Sequence, residues 1–126
     1  MAKCVEELPV WQRALELAEA VFAMTEGRRF LRHPRLVEQL NDAADSMLSN
    51  IAEGFAQPTD RAFARYLGIA QGSCDEIRSH LAVAVMRRCA EADAAAVLRE
   101  RSHEISRMLN GFSQYLLRCD RTRRGR

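Results

Sequence analysis

Apolar side chains recur in alternating steps of four and three residues through the third quarter of the chain, and this spacing constrains the fold more than any other feature. A stripe of this period lies along one side of a long helix and packs against neighbouring helices at a shallow crossing angle. Taken from Thr59 to about Cys89, the helix would be about 46 Å long at 1.5 Å per residue. Its predicted core positions are Phe63, Leu67, Ala70, Cys74, Ile77, Leu81 and Ala84.

Proline and glycine divide the rest of the chain into further helices. Pro9 and Pro34 suit the first turns of a first and a second helix. Gly27 ends the first helix, and Gly54 is interpreted as a left-handed cap that ends the second. Thr59, which follows a proline, is a suitable N-cap for the third helix.

Each of the other helices has its own apolar stripe. In the first it consists of Trp11, Ala14, Leu15, Ala18, Val21 and Phe22. In the second it consists of Leu40, Ala44, Met47, Leu48, Ile51 and Phe55. The fourth helix begins near Asp93, and its predicted inward positions are Ala94, Leu98, Ile105, Leu109, Phe112 and Leu116. Strand patterns are absent, so the sequence predicts an all-α, up-down-up-down antiparallel four-helix bundle over residues 1–117.

Length and cysteine usage indicate the class of protein. A chain of 126 residues is long enough for one domain with a single core. The four cysteines lack the C-x-x-C spacing of zinc or redox sites, and the N-terminus has no signal-peptide pattern. No apolar run approaches the roughly 20 residues of a membrane span. We therefore expect a cytoplasmic protein with no membrane partner.

The second helix carries a polar row opposite its apolar stripe. Ser46, Asn50 and Glu53 fall on this side at 3.6 residues per turn. The row is either solvated surface or a contact surface. Our hypothesis for the second alternative is a polar junction near a subunit boundary, in which Asn50 and Glu53 meet Arg61 and Arg65 of the third helix.

The third helix has a second stripe, of mostly small side chains, on the side opposite its core positions. A glycine inside a helix costs roughly 1 kcal/mol relative to alanine, so two of them need a reason. One alternative is that they make room for a neighbouring helix of the same subunit. The other is self-association through the stripe. Its members are Gly68, Gly72, Ser79, Ala82 and Met86.

Basic residues are concentrated at the C-terminus, although the formal net charge is only +2. Lys3 is the only lysine, and arginine forks suit phosphate geometry. The tail, residues 118–126, is either a disordered solubilising terminus or a disordered arm that contacts a nucleic-acid backbone without reading its sequence. Its basic residues are Arg118, Arg121, Arg123, Arg124 and Arg126.

Motifs between residues 8 and 85 point to a known family. They are Leu8-x-Val10-Trp11-Gln12-x-Ala14, Gln39-Leu40 followed by Ala43 or Ala44, Ser46-x3-Asn50-Ile51-Ala52-Glu53-Gly54, and Phe63-x2-Tyr66-Leu67-x-Ile69-Ala70-x-Gly72-Ser73-x2-Glu76. With these motifs the chain resembles the four-helix bundle proteins encoded in intervening sequences of bacterial large-subunit ribosomal RNA genes. That family is similar in turn to the accessory variability proteins of diversity-generating retroelements.

The resemblance implies a homopentamer, an RNA-linked setting and no enzymatic activity, because the retroelement proteins form pentameric barrels that bind a reverse transcriptase and its template RNA. Where relatives have basic residues in the second helix, this chain has Asn41 and Asp42. Contacts to nucleic acid are therefore assigned to Arg61 and Arg65, to the pair Arg87 and Arg88, and to the arginines of the tail. A purely structural or protein-interaction bundle with no nucleic-acid ligand is the alternative.

Catalysis has little support in the sequence. A di-metal carboxylate site in a four-helix bundle needs two Glu-x-x-His pairs that point inward. Only Glu100 and His103 have this spacing, and they project away from the predicted core stripe. Cys74 lies on the core stripe, where a thiol behaves as a small apolar side chain. We expect a non-catalytic protein without a metal ion or cofactor, and the di-metal enzyme remains a remote alternative.

Overall fold

Four long α-helices make up most of residues 2–119, the part of the chain that the computed structural model describes. They are α1 (Pro9–Thr25), α2 (Pro34–Phe55), α3 (Asp60–Met86) and α4 (Ala92–Cys119). Short 3₁₀ turns lie before α1, at Val5–Glu7, and between α1 and α2, at Arg28–Arg32. Residues 2–119 contain no β-strand, and none of their helices is long and apolar enough to cross a bilayer.

The helices are connected in the predicted up-and-down order. Between α3 and α4, the Ser102 hydroxyl donates to the Cys74 carbonyl at 3.0 Å and the Ser113 hydroxyl to the Ala64 carbonyl at 3.5 Å. The later residue of α4 thus meets the earlier residue of α3, so the two helices are antiparallel. Each helix packs mainly on two neighbours, because α1 and α3 both contact α2 and α4. The all-α four-helix bundle is therefore confirmed.

The core stripe of α3 is confirmed residue by residue. All seven predicted positions are buried, from Phe63 at 2% exposed to Leu67 and Leu81 at 0%. The Thr59 cap is also confirmed, because its hydroxyl accepts a hydrogen bond from the Ala62 amide at 3.1 Å. The helix ends at Met86, three residues before the predicted boundary. Its length is therefore about 40 Å.

The predicted stripes of α1 and α4 are confirmed in part. The buried members are Ala14, Ala18 and Val21 in α1 and Leu98, Ile105, Leu109 and Leu116 in α4. In α4, Ala95 is buried and Ala94 is exposed. The burial of Leu98 and Ile105 fixes the rotation of α4, and Ala95 lies one turn from Leu98 on the same face. The half-buried residues of α1 and α4 that were predicted to be inward are Trp11, Leu15, Phe22 and Phe112. The core residues of α1 are Val10, Ala14, Leu17, Ala18, Val21 and Thr25.

Gly54 is not a left-handed cap, so that prediction is wrong. The helix α2 continues to Phe55, and its C-cap residue, Ala56, has right-handed backbone angles. Gly54 is buried against α3, where an added Cβ would lie 2.8 Å from Phe63 Cδ1 and 2.9 Å from Tyr66 Cβ. Glycine is needed here because the two helices approach closely. The hairpin of α2 and α3 is tight at this end as a result.

Candidate nucleic-acid and assembly surfaces

The connection between α1 and α2 and the connection between α3 and α4 lie at the same end of the bundle, which we call the loop end. The Arg29 guanidinium Nη2 lies 2.5 Å from Glu91 Oε1 and joins the two connections. Both side chains are more than half exposed, so the ion pair adds at most about 1 kcal/mol to stability. Its significance is geometric, because it places residues 28–35 beside the end of α3.

An open groove of about 390 Å³ lies between these elements, and we call it the loop-end groove. Arg32 comes from the 3₁₀ turn, Arg35 from the first turn of α2 and Arg87 from the end of α3. All three arginines are exposed. The lining of the groove contains no Asp or Glu. It consists of Arg32, His33, Pro34, Arg35, Leu36, Gln39, Val83 and Arg87.

Arg88 occupies a position that favours glycine. Its φ angle is 63°, in the left-handed region. The amide of Cys89 donates to the Ala84 carbonyl at 2.8 Å and the amide of Arg88 donates to the Val85 carbonyl at 2.9 Å. This pair of bonds is the Schellman ending of a helix, in which Gly is the usual left-handed residue. An arginine there costs about 1 kcal/mol or more in backbone strain.

The arginines that the sequence assigned to nucleic acid lie at two opposite ends of the molecule. Arg87 and Arg88 lie at the loop end, and both are exposed. Arg61 and Arg65 lie in the first turns of α3, at the far end, where Arg118 lies in the last turn of α4. The rise along α3 separates Arg65 from Arg87 by about 33 Å. The predictions for Arg121, Arg123, Arg124 and Arg126 lie outside the described residues.

At the sequence level no role is assigned to Arg32 or Arg35, which lie on either side of the predicted start of the second helix at Pro34. The signal was present, because four arginines and a histidine fall between residues 28 and 35. In an up-and-down bundle the first and third connections share one end, so these residues had to lie near Arg87.

The predicted polar row of α2 has two parts. The Ser73 hydroxyl of α3 donates to the Ser46 hydroxyl at 2.9 Å, and the Asn50 amide donates to the Ser46 carbonyl at 2.8 Å and to the Ser46 hydroxyl at 3.1 Å. Ser46 therefore forms a polar contact with α3 within one subunit, and Asn50 donates to Ser46 within α2. Glu53 is exposed. Its participation in a junction with Arg61 and Arg65 stays a prediction.

The small-residue stripe of α3 forms an open surface, which we call the outer face of α3. All five of its residues are exposed, and Met86 is 73% exposed. A Cβ added at Gly68 or Gly72 would meet no atom within 4 Å. The alternative that these glycines make room for a helix of the same subunit is therefore wrong. Self-association through this face stays a prediction.

Glu100 and His103 are exposed and border a groove that also contains Arg78 and Arg99. These two guanidinium groups disfavour a metal cation by charge repulsion. Among residues 2–119, no group of three or more His, Cys, Asp or Glu side chains is arranged to hold a metal ion.

Cys74 is buried between α3 and α4, where its carbonyl accepts the hydrogen bond from Ser102. Burial raises the pKa of the Cys74 thiol to about 11, so the group is an uncharged thiol at neutral pH. Nucleophilic chemistry requires the thiolate, and Cys74 is therefore a core side chain. All four cysteines are free thiols.

A solved structure has the same fold. It is that of a protein of unknown function from the S23 ribosomal protein family of Bacteroides thetaiotaomicron VPI-5482, with a TM-score of 0.75 and 18% sequence identity. The match covers 83% of this chain and 98% of that chain. At this identity the likeness shows the fold alone.

The sequence itself identifies the family. No curated protein matches the chain significantly. The family of 23S rRNA-intervening sequence proteins matches residues 6–111, which include all of α1, α2 and α3 and most of α4. The chain therefore belongs to the 23S rRNA-intervening sequence protein family.

Proposed function

We propose that this protein is a non-catalytic, oligomeric adaptor that associates with structured RNA. The observation that carries the proposal is the loop-end groove, in which arginines from three elements face a cavity with no carboxylate in its lining. Arginine forms paired hydrogen bonds with phosphate oxygens, so such a groove suits a nucleic-acid backbone. The strained backbone of Arg88 also favours an RNA contact at the loop end. A glycine at this position would give a more stable helix ending, so the arginine needs another reason.

The oligomeric part of the proposal rests on the outer face of α3. Two helical glycines with open space beside them destabilise an isolated subunit. Packed on a second copy, they would allow close approach of backbones. We propose a ring of five subunits, as the resemblance implies, located in the cytoplasm. In the most specific form of the proposal, the ring holds a reverse transcriptase and its template RNA.

RNA binding tests the adaptor role directly. The anisotropy of a fluorescent RNA hairpin is measured over a range of salt concentrations, with the full chain and with a variant that lacks residues 118–126. We expect the logarithm of the binding constant to fall linearly with the logarithm of salt concentration, because phosphate contacts release counterions. The shortened variant should bind more weakly and keep a salt dependence. Absence of binding in both forms would favour the purely structural alternative.

The assembly is tested by the double substitution Gly68→Ala and Gly72→Ala. Alanine favours a helix by roughly 1 kcal/mol at each position and meets no atom in the subunit, so the isolated subunit should become more stable. The two methyl groups would separate packed backbones, so the assembly should weaken. Light scattering after size exclusion measures the mass of both proteins. A wild-type protein that is monomeric at micromolar concentration would remove the oligomeric proposal.

A further inference from the structure

We infer that the loop-end groove binds the sugar-phosphate backbone of double-helical RNA, with Arg32, Arg35 and Arg87 contacting phosphates. This inference rests on the proposed function and specifies its RNA contact. It places the contact at the loop end, about 33 Å along α3 from Arg65. Arg118, the first residue of the tail, lies in the last turn of α4 at the far end of the bundle, so the two ends can be tested separately.

The charge of the groove distinguishes it from other grooves on the described surface. The groove between α1 and α4 contains Glu16 and Glu104 beside its two arginines. The groove between α2 and α3 contains Asp42 and Glu76. In each of these, a carboxylate would oppose an approaching phosphate. At the loop end, Glu91 is occupied by Arg29 and does not line the groove.

The positions of the arginines suit a strand of backbone that lies in the groove. Arg32 and Arg35 come from the 3₁₀ turn before α2 and from the first turn of α2, whereas Arg87 comes from the end of α3. Arg35 also belongs to the first turn of a 22-residue helix with no side-chain cap, where the helix dipole favours an anion. A phosphate that enters the groove would therefore meet arginines of separate elements.

The chemistry of the lining favours a duplex over a single strand. Proteins that bind single strands stack the bases on aromatic side chains. The groove lining contains no Phe, Tyr or Trp, and its one imidazole, that of His33, is half-buried. The aromatic residue next to the groove in sequence, Phe30, is 1% exposed. Double-stranded RNA keeps its bases stacked internally and presents phosphates and 2′-hydroxyls, which is what arginines can contact. Recognition of shape and charge without base stacking is expected.

The test compares two variants of the full chain with equal loss of charge. The groove variant carries R32Q, R35Q and R87Q. The control variant carries substitutions at exposed arginines of α1 and α4 that do not line the groove: R13Q, R99Q and R107Q. All six side chains are exposed, so both variants should unfold at the wild-type temperature, which circular dichroism checks.

Each protein is titrated into an RNA duplex of about 20 base pairs and into one of its single strands. For the groove variant we expect a loss of duplex affinity on the order of 10²- to 10³-fold at about 0.1 M salt, since each phosphate contact contributes about tenfold there. The slope of the salt dependence should fall by about 2 to 3. The control variant should bind within a few-fold of the wild type.

The outcomes separate this inference from the proposed function. Equal binding by the groove variant and the wild type would overturn the inference, while RNA binding itself would survive through the far end or the tail. A clear preference for the single strand, or equal losses in the groove and control variants, would also overturn it. No RNA binding by the wild type would remove the proposed function as well.

Discussion

Replacing Gly54 by valine is expected to lower the free energy of unfolding by about 3 kcal/mol, because the new side chain overlaps α3. Its Cβ alone would lie 2.8 Å from Phe63 Cδ1 and 2.9 Å from Tyr66 Cβ, distances that real Cβ atoms do not adopt. Gly54 is enclosed by the hairpin, so α2 and α3 must move apart to accommodate the valine. Urea denaturation followed by circular dichroism measures the change.

The matched control is Gly54→Ala combined with Phe63→Leu. Alanine alone introduces the same close contacts, and the smaller leucine should relieve those made by the ring atoms of Phe63. The two substitutions should therefore be less destabilising together than the sum of their separate effects. A Gly54→Val protein as stable as the wild type would contradict the close approach of the two helices.

Replacing Phe63 by alanine should cost about 3–5 kcal/mol of stability. The Phe63 ring lies edge-on to Phe112 of α4 at 5.0 Å between centroids and to Phe55 of α2 at 6.2 Å. It is 2% exposed, so its removal leaves a cavity where three helices meet. The same denaturation measurement provides the value, with calorimetry as a second determination.

Phe55→Ala is the comparison for this cavity. Phe55 is half-buried and contacts the same ring, so water can replace part of its volume. Its loss should cost clearly less than the loss of Phe63. Equal costs for the two variants would mean that Phe63 does not join the three helices.

The core stripe of α3 could be predicted from the sequence because the spacing of its apolar residues is enough to determine which side of the helix is buried. The prediction for Gly54 failed for the opposite reason. A glycine near the end of a helix is typical both of a left-handed cap and of close helix packing. The approach of Phe63 decides between them, and this contact is between residues of two different helices. The choice of Ala94 as an inward position of α4 was wrong for a similar reason, since alanine at every position from 94 to 96 leaves the buried side of the first turn undefined.

The candidate site could be predicted in part. Arg87 and Arg88 were identified as a basic pair at the end of the third helix, once the second helix was found to have Asn41 and Asp42 where relatives have basic residues. Arg32 belongs to a short 3₁₀ turn and Arg35 to the first turn of α2, and their role depends on the distant end of α3 that lies beside them. A groove formed by three separate elements has no local pattern. The spatial order of the four helices was the information required.

The four thiols differ in exposure, from Cys4 at the surface to Cys74 between α3 and α4. An alkylating reagent reaches Cys74 only after these two helices have separated, whereas Cys4 is accessible at all times. The rate at which Cys74 is alkylated therefore reports how often the bundle opens. The natural sequence allows this measurement without an introduced cysteine.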